Sequence, residues 1–123
     1  GWRGPIRDPA DRFARILARR VAAPKALVIA LLARGFARLA RANGHVVNDG
    51  FAGVYDFEPD ADMAGLLGQF AVSPGRAHLV MVHPGERDAD DGYDPIAGAR
   101  ANEARYLARA PVPFAPRRHR EFG

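Results

Sequence analysis

The chain has no cysteine, no threonine, one lysine and no long apolar run. The absence of cysteine excludes disulfides, thiolate metal sites and a cysteine nucleophile, and it leaves the redox compartment open. The longest apolar run, residues 26–33, is far too short to cross a bilayer, so we expect no membrane partner and a cytoplasmic location. Because the chain begins with Gly1 rather than Met, we expect it to be a piece of a longer polypeptide.

Positive charge is concentrated at the start of the chain. The formal net charge is +4, but residues 1–41 carry +8, residues 43–110 carry −6 and residues 111–123 carry +2. Nucleic acid is bound by a basic surface without a strongly acidic neighbour. The charge pattern therefore argues against a nucleic-acid partner.

Apolar periodicity and turn residues predict alternating helices and strands. The predicted elements are a short strand at residues 5–7, a helix capped by Asp8 that ends before Pro24, a helix over 25–42, a strand and loop over 45–57, a helix starting at 60–62, a strand over 77–82, and a helix from Asp94 to about Arg109. This order predicts an α/β fold with helices packed on a small, mainly parallel sheet. Residues 1–110 form the predicted domain, and the Pro- and Arg-rich residues 111–123 form an irregular tail.

His83 is the first candidate for a chemical role. It ends the apolar strand over 77–82, and the following Pro84 and Gly85 cannot continue a strand or a helix. Side chains at the carboxyl ends of parallel strands point into the ligand crevice of an α/β protein. A polar turn residue is the alternative interpretation of His83.

Two further sets of polar residues invite a functional interpretation. Asp49 is suited to ligating a metal or orienting an imidazole, or equally to an Asx turn before Gly50. On the last helix, Arg100 and Glu103 share a face with apolar anchors, which predicts a structural pair that ties the helix to the domain. The acidic residues 86–91 lack the spacing of a calcium loop.

Three stretches together resemble the C-terminal part of the YdjC-like carbohydrate deacetylases, which include chitooligosaccharide deacetylases and hopanoid-biosynthesis-associated proteins. The residues that carry the resemblance are Pro5-Ile6-Arg7-Asp8-Pro9, Phe51-Ala52-Gly53-Val54-Tyr55-Asp56-Phe57, and Val82-His83-Pro84-Gly85 followed by Asp88, Asp94, Arg100 and Glu103.

The resemblance implies the C-terminal portion of a distorted (β/α) barrel, in which a divalent cation, Mg²⁺ or Zn²⁺, activates water to attack the N-acetyl carbonyl of an amino sugar. The family's metal ligands lie in an N-terminal Ala-Asp-Asp-Phe-Gly-like motif and a His-x-His-like motif, and neither occurs here. The resemblance thus implies that this chain holds no metal ligand and is inactive alone. It implies that His83 is the catalytic acid or an orienting group, and that Arg7 fixes substrate or a neighbouring carboxylate through its planar guanidinium. Asp49 is a further predicted substrate-binding residue.

A second interpretation is a non-enzymatic interaction domain. Arg34, Arg38 and Arg41 recur at helical spacing on the second predicted helix and form a basic face that suits an acidic partner. An unclosed sheet also exposes its edge, so we expect self-association through that edge.

Overall fold

A computed structural model describes residues 4–86 and 93–116. The elements in this part of the chain are α1 (Phe13–Arg19), α2 (Ala23–Leu32), α3 (Phe36–Ala42), β1 (Phe51–Ala52), α4 (Met63–Phe70), β2 (Leu79–Val80) and α5 (Ala97–Arg109). The protein is therefore a mixed helix and sheet structure, broadly α/β as predicted. Most of the predicted acidic loop (residues 87–91) and the tail beyond residue 116 lie outside the described residues, and residues 111–116 form neither helix nor strand.

The sheet is small and parallel. β1 pairs with β2 in a register that sets Phe51 opposite Leu79, and a parallel bridge joins Ile6 to Val47 beside it. The amide of Met81 continues the ladder by donating to the carbonyl of Ala52 at 2.8 Å. The strand predicted over 77–82 therefore lies where expected but is shorter, and the parallel direction is confirmed.

The first helix begins later than predicted. α1 starts at Phe13, with Arg12 as the N-cap, rather than directly after Asp8. Asp8 is buried and exchanges hydrogen bonds with Asn48: its amide donates to Oδ1 at 2.8 Å, and Asn48 Nδ2 donates to its carbonyl at 3.0 Å. The Asp8 side chain accepts from the amide of Ala10 at 3.0 Å, so it closes a local turn instead of capping α1.

The helix predicted over 25–42 is two helices. α2 ends at Leu32, and α3 begins at Phe36 after Gly35, whose φ of 87° lies in the left-handed region. Glycine adopts this conformation without the steric cost of a Cβ, so Gly35 turns the chain between the two helices.

The last two helices follow their local signals. Asp62 caps α4 by accepting from the amide of Gly65 at 3.1 Å, as predicted from the acidic residues before Met63. Asp94 accepts from the amide of Ile96 at 3.0 Å just before α5.

One face of the sheet packs against helices. The core cluster contains Ala52, Tyr55, Met63, Leu67 and Phe70, with Val80 of β2 and Tyr106 and Leu107 of α5 packed against it. Another side of the strands borders an open cavity of about 720 Å³ that is lined by strand and loop residues and by residues 113–116. Within the described residues, no residue of the five helices lines this cavity. None of the described helices combines the length and apolarity needed to cross a bilayer.

Candidate functional site

Tyr55 and His83 reach the same carboxylate because of the strand register. Each stands four residues after a paired residue, Phe51 for Tyr55 and Leu79 for His83, so the parallel register carries both to the carboxyl end of the sheet. Glu103 of α5 reaches the same place. The structure thereby joins a tyrosine, a histidine and a carboxylate that are far apart in the chain.

The carboxylate of Glu103 lies at the centre of this cluster. Glu103 is only 1% exposed. The hydroxyl of Tyr55 donates to Oε1 at 2.6 Å, and the backbone amide of His83 donates to Oε2. Burial of an ionisable carboxyl is costly unless hydrogen bonds compensate it, and these two donors supply that compensation.

The imidazole of His83 lies between Glu103 and Phe57. Its Nδ1 is 3.5 Å from Glu103 Oε1, which is within ion-pair distance but lacks the geometry of a hydrogen bond. The ring of Phe57 packs edge-on against it, with centroids 5.0 Å apart. Since the side chain keeps 16% of its surface exposed, it is neither a solvated turn residue nor a fully enclosed one.

Tyr55 is held as a hydrogen-bond donor. Burial raises the pKa of its hydroxyl, and the adjacent Glu103 carboxylate raises it further. The phenol therefore stays protonated and keeps donating to Glu103. No motif in the sequence marks Tyr55 as a site residue, although it follows Phe51 at the same distance as His83 follows Leu79.

Arg7 and Asp49 belong to other surroundings. Arg7 is exposed, and its guanidinium lies 3.1 Å from the sulfur of Met81. Asp49 accepts from Arg15 at 3.0 Å and from the amide of Arg76 at 3.0 Å, and that amide is the main reason that its pKa is lowered. Within the described part of the chain, neither residue hydrogen-bonds to the cluster around Glu103.

Arg100 and Glu103 do not pair with each other. Arg100 Nε lies 2.6 Å from Asp94 Oδ2, near the start of α5, while Glu103 turns into the core toward Tyr55 and His83. The predicted pair is wrong because each residue has a better-placed partner from outside the helix. Glu103 links α5 to the ends of both strands, and the carbonyl of Arg100 adds a link by accepting from the amide of Gly85 at 3.2 Å.

A buried ion pair that the sequence analysis missed secures α1. Arg19 is 3% exposed, lies 2.7 Å from Asp11 Oδ2, and donates to the carbonyls of Phe51, Val72 and Ser73. The spacing of Asp11 and Arg19 matches no helical pairing rule, so the local pattern carries no signal for it.

Histidine 78 is also structural. Its Nε2 lies 2.8 Å from the carbonyl oxygen of Phe70, and burial lowers the pKa of the ring. Among residues 4–86 and 93–116, no group of three or more His, Asp or Glu side chains is placed to hold a metal ion.

Comparison with protein-family models, with curated proteins and with solved structures finds no match to this chain.

Proposed function

We propose that this chain is the C-terminal part of a metal-dependent carbohydrate N-deacetylase, and that His83 protonates the departing amine of the amino sugar. The observation that carries the proposal is the buried Glu103 carboxylate beside a partly exposed imidazole at the carboxyl end of a parallel sheet. The sequence resemblance supplies the substrate class, which is an acetylated amino sugar.

The connectivity of the sheet supports the barrel architecture. Ile6 pairs in parallel with Val47, and β1 pairs in parallel with β2, while Asp49 and Ala77 just before these strands form one isolated antiparallel bridge. Right-handed crossovers between such strands place the helices on one face, which is the repeating unit of a (β/α) barrel. The shared core of β1, β2, α4 and α5 fits this arrangement, and the open cavity would then face the barrel interior.

The chemistry of amide hydrolysis fits an imidazole at this position. An amine leaves readily only after its nitrogen has gained a proton, and a positioned imidazole can donate that proton near neutral pH. The Glu103 carboxylate lies 3.5 Å from Nδ1 of the ring, and Phe57 packs edge-on against the ring. His83 thus has a partner that orients it, and 16% of its side chain is exposed.

The described residues do not fit a metal centre, since no suitable ligand group is found among them. We therefore assign no metal-dependent step to the described residues, and the proposal requires that the Mg²⁺ or Zn²⁺ site of the enzyme lie outside them.

The test is His83→Ala in the longer protein, assayed on N-acetylglucosamine oligomers. We expect turnover to fall by about a hundredfold or more, with metal affinity nearly unchanged, because loss of a general acid affects the chemical step. The 123-residue chain alone should release no acetate. Acetate release by the isolated chain, or unchanged turnover of the variant, would contradict the proposal.

A second candidate function is binding of an acidic partner by helices α2 and α3. No Asp or Glu occurs between residues 12 and 48, and Arg34, Arg38 and Arg41 are all exposed. They lie among exposed apolar side chains, of which Leu32 is 82% and Leu39 is 66% exposed. A surface with both features favours a partner that is acidic and partly apolar.

Polyglutamate is a suitable probe of this surface. We expect salt-sensitive binding that is lost when Arg34, Arg38 and Arg41 are all replaced by Gln. The matched control replaces Arg105 and Arg109, which are exposed on α5, by Gln. Equal loss of binding in both variants would show a general charge effect rather than a specific surface.

A further inference from the structure

We infer that Glu103 is the positioning residue for His83, because its buried carboxylate, held by the Tyr55 hydroxyl, faces Nδ1 and selects the imidazole tautomer with the proton on that nitrogen. The effect on turnover rests on the proposed function. The effect on the tautomer does not.

The hydrogen-bond inventory of the cluster gives the reason. An ionised carboxylate only accepts hydrogen bonds. Oε2 of Glu103 receives the backbone amide of His83, and Oε1 receives the Tyr55 hydroxyl at 2.6 Å. Nδ1 of His83 is buried 3.5 Å from Oε1 and has no hydrogen-bond partner among the described residues. A proton on Nδ1 is therefore attracted by Glu103, whereas a lone pair there would be repelled.

The tautomer determines which ring nitrogen of His83 can exchange a proton with a substrate. With Nδ1 protonated and directed at Glu103, Nε2 becomes the nitrogen that exchanges protons with a substrate. Glu103 is 1% exposed, so it acts through the imidazole rather than on the substrate. Phe57, packed edge-on 5.0 Å from the ring, restricts the rotation that would exchange the two nitrogens.

Glu103→Gln tests this geometry because the glutamine side chain has one acceptor, its amide oxygen, and one donor, its NH₂ group, where glutamate has two acceptor oxygens. The backbone N–H of His83 is a fixed donor, so the amide oxygen has to replace Oε2. The NH₂ group then replaces Oε1 and donates to Nδ1, while the Tyr55 hydroxyl rotates to accept. The substitution should therefore move the imidazole proton from Nδ1 to Nε2.

Nitrogen-15 NMR of the neutral His83 ring in this chain gives the readout. We expect mainly the Nδ1–H tautomer in the unaltered chain and mainly the Nε2–H tautomer in Glu103→Gln. Glu58→Gln, at an exposed glutamate outside the cluster, is the matched control and should leave the tautomer unchanged. Tyr55→Phe retains both carboxylate oxygens and should keep Nδ1–H, which provides a second folded variant.

An Nε2–H ring in the unaltered chain, or an unchanged tautomer in folded Glu103→Gln, would overturn the inference. In the longer protein, Glu103→Gln should lower kcat about 10- to 100-fold with little change in KM, as for other residues that orient a reacting group. If His83→Ala abolishes turnover but Glu103→Gln does not, the positioning role is wrong and the proposed function stands. If neither variant lowers turnover while the tautomer shifts, the proposed function fails and the tautomer assignment stands.

Discussion

Arg19 and Asp11 form a buried ion pair in this small protein. The guanidinium of Arg19 and the carboxylate of Asp11 are both almost fully enclosed, at 4% and 2% side-chain exposure. Together they join α1 to the strand at Phe51, whose amide donates to Asp11 and whose carbonyl accepts from Arg19. Removing one partner leaves the other charge buried without its counter-ion, which costs more than the intact pair contributes.

Asp11→Asn should therefore lower the free energy of unfolding by about 3–5 kcal/mol. The control is Asp56→Asn, because Asp56 is 75% exposed and its 3.5 Å contact with Lys25 is screened by water. That change should cost at most about 1 kcal/mol. Urea unfolding of both variants measures the difference, and equal losses would show that the Asp11 pair is not effectively buried.

His78 makes stability depend on pH. Burial lowers the pKa of His78 in the folded chain, whereas in the unfolded chain the ring titrates near its ordinary value of 6.5. The unfolded state thus binds more protons, and the free energy of unfolding falls as pH drops through about 6.5. The pKa values of Asp49 and Asp94 are also lowered, so these residues too make the free energy of unfolding fall as the pH drops. Their effect lies below about pH 4, so it can be separated from that of His78.

We expect His78→Asn to flatten the decline in thermal stability below about pH 6.5 without changing the decline below about pH 4. His45→Asn is the control, and it should leave the His78 contribution in place. Identical pH profiles for the unaltered chain and the His78 variant would show that this ring is not desolvated.

The ends of the two strands approach each other closely because Gly53 has no side chain. Gly53 follows β1 with a φ of 122°, and a Cβ at this position would collide with the backbone oxygen of Met81. Tyr55 lies two residues further along the same segment.

Gly53→Ala should destabilise the chain by at least about 1–3 kcal/mol, through both the unfavourable φ and the collision. Gly68→Ala is the control, and it should change stability in the opposite direction. Gly68 lies within α4, and a Cβ there would have no atom within 4 Å. Alanine at that position should stabilise the helix by about 0.5–1 kcal/mol. A neutral Gly53 variant would show that β1 and β2 separate without cost.

The described part of the chain leaves apolar surface on two sides. Leu79 lines the open cavity beside the sheet, and exposed leucines lie on α2 and α3. An uncovered parallel sheet presents both apolar side chains and unpaired backbone groups, which favours association between copies.

We expect concentration-dependent self-association that Leu79→Lys weakens, because a charge at a sheet edge opposes strand pairing. Leu32→Lys, on the exposed side of α2, should leave it unchanged. Sedimentation velocity over a range of concentrations distinguishes the two. Loss of association only in the Leu32 variant would show that the copies associate through the helices instead. A monomer at all concentrations would contradict the prediction.

Much of the secondary structure was predictable because its signals are local. Asp62, which precedes apolar residues at helical spacing, predicts α4, and the apolar run that stops at His83 predicts β2. The start of α1 was not predictable, because Asp8 is bound by Asn48, a residue 40 positions away. Gly35 lies within an apolar pattern that favours a helix, and only its left-handed conformation in the folded chain divides α2 from α3.

The candidate site was predictable only in part, and for the same reason. Sequence pattern alone placed His83 at a strand end and Glu103 on the inner face of the last helix. Tertiary structure decided that Glu103 bonds to Tyr55 and His83 instead of pairing with Arg100. Helical spacing shows which residues share a face of a helix. Hydrogen-bond partners across the core depend on strand register and helix packing, and these depend on the whole folded chain.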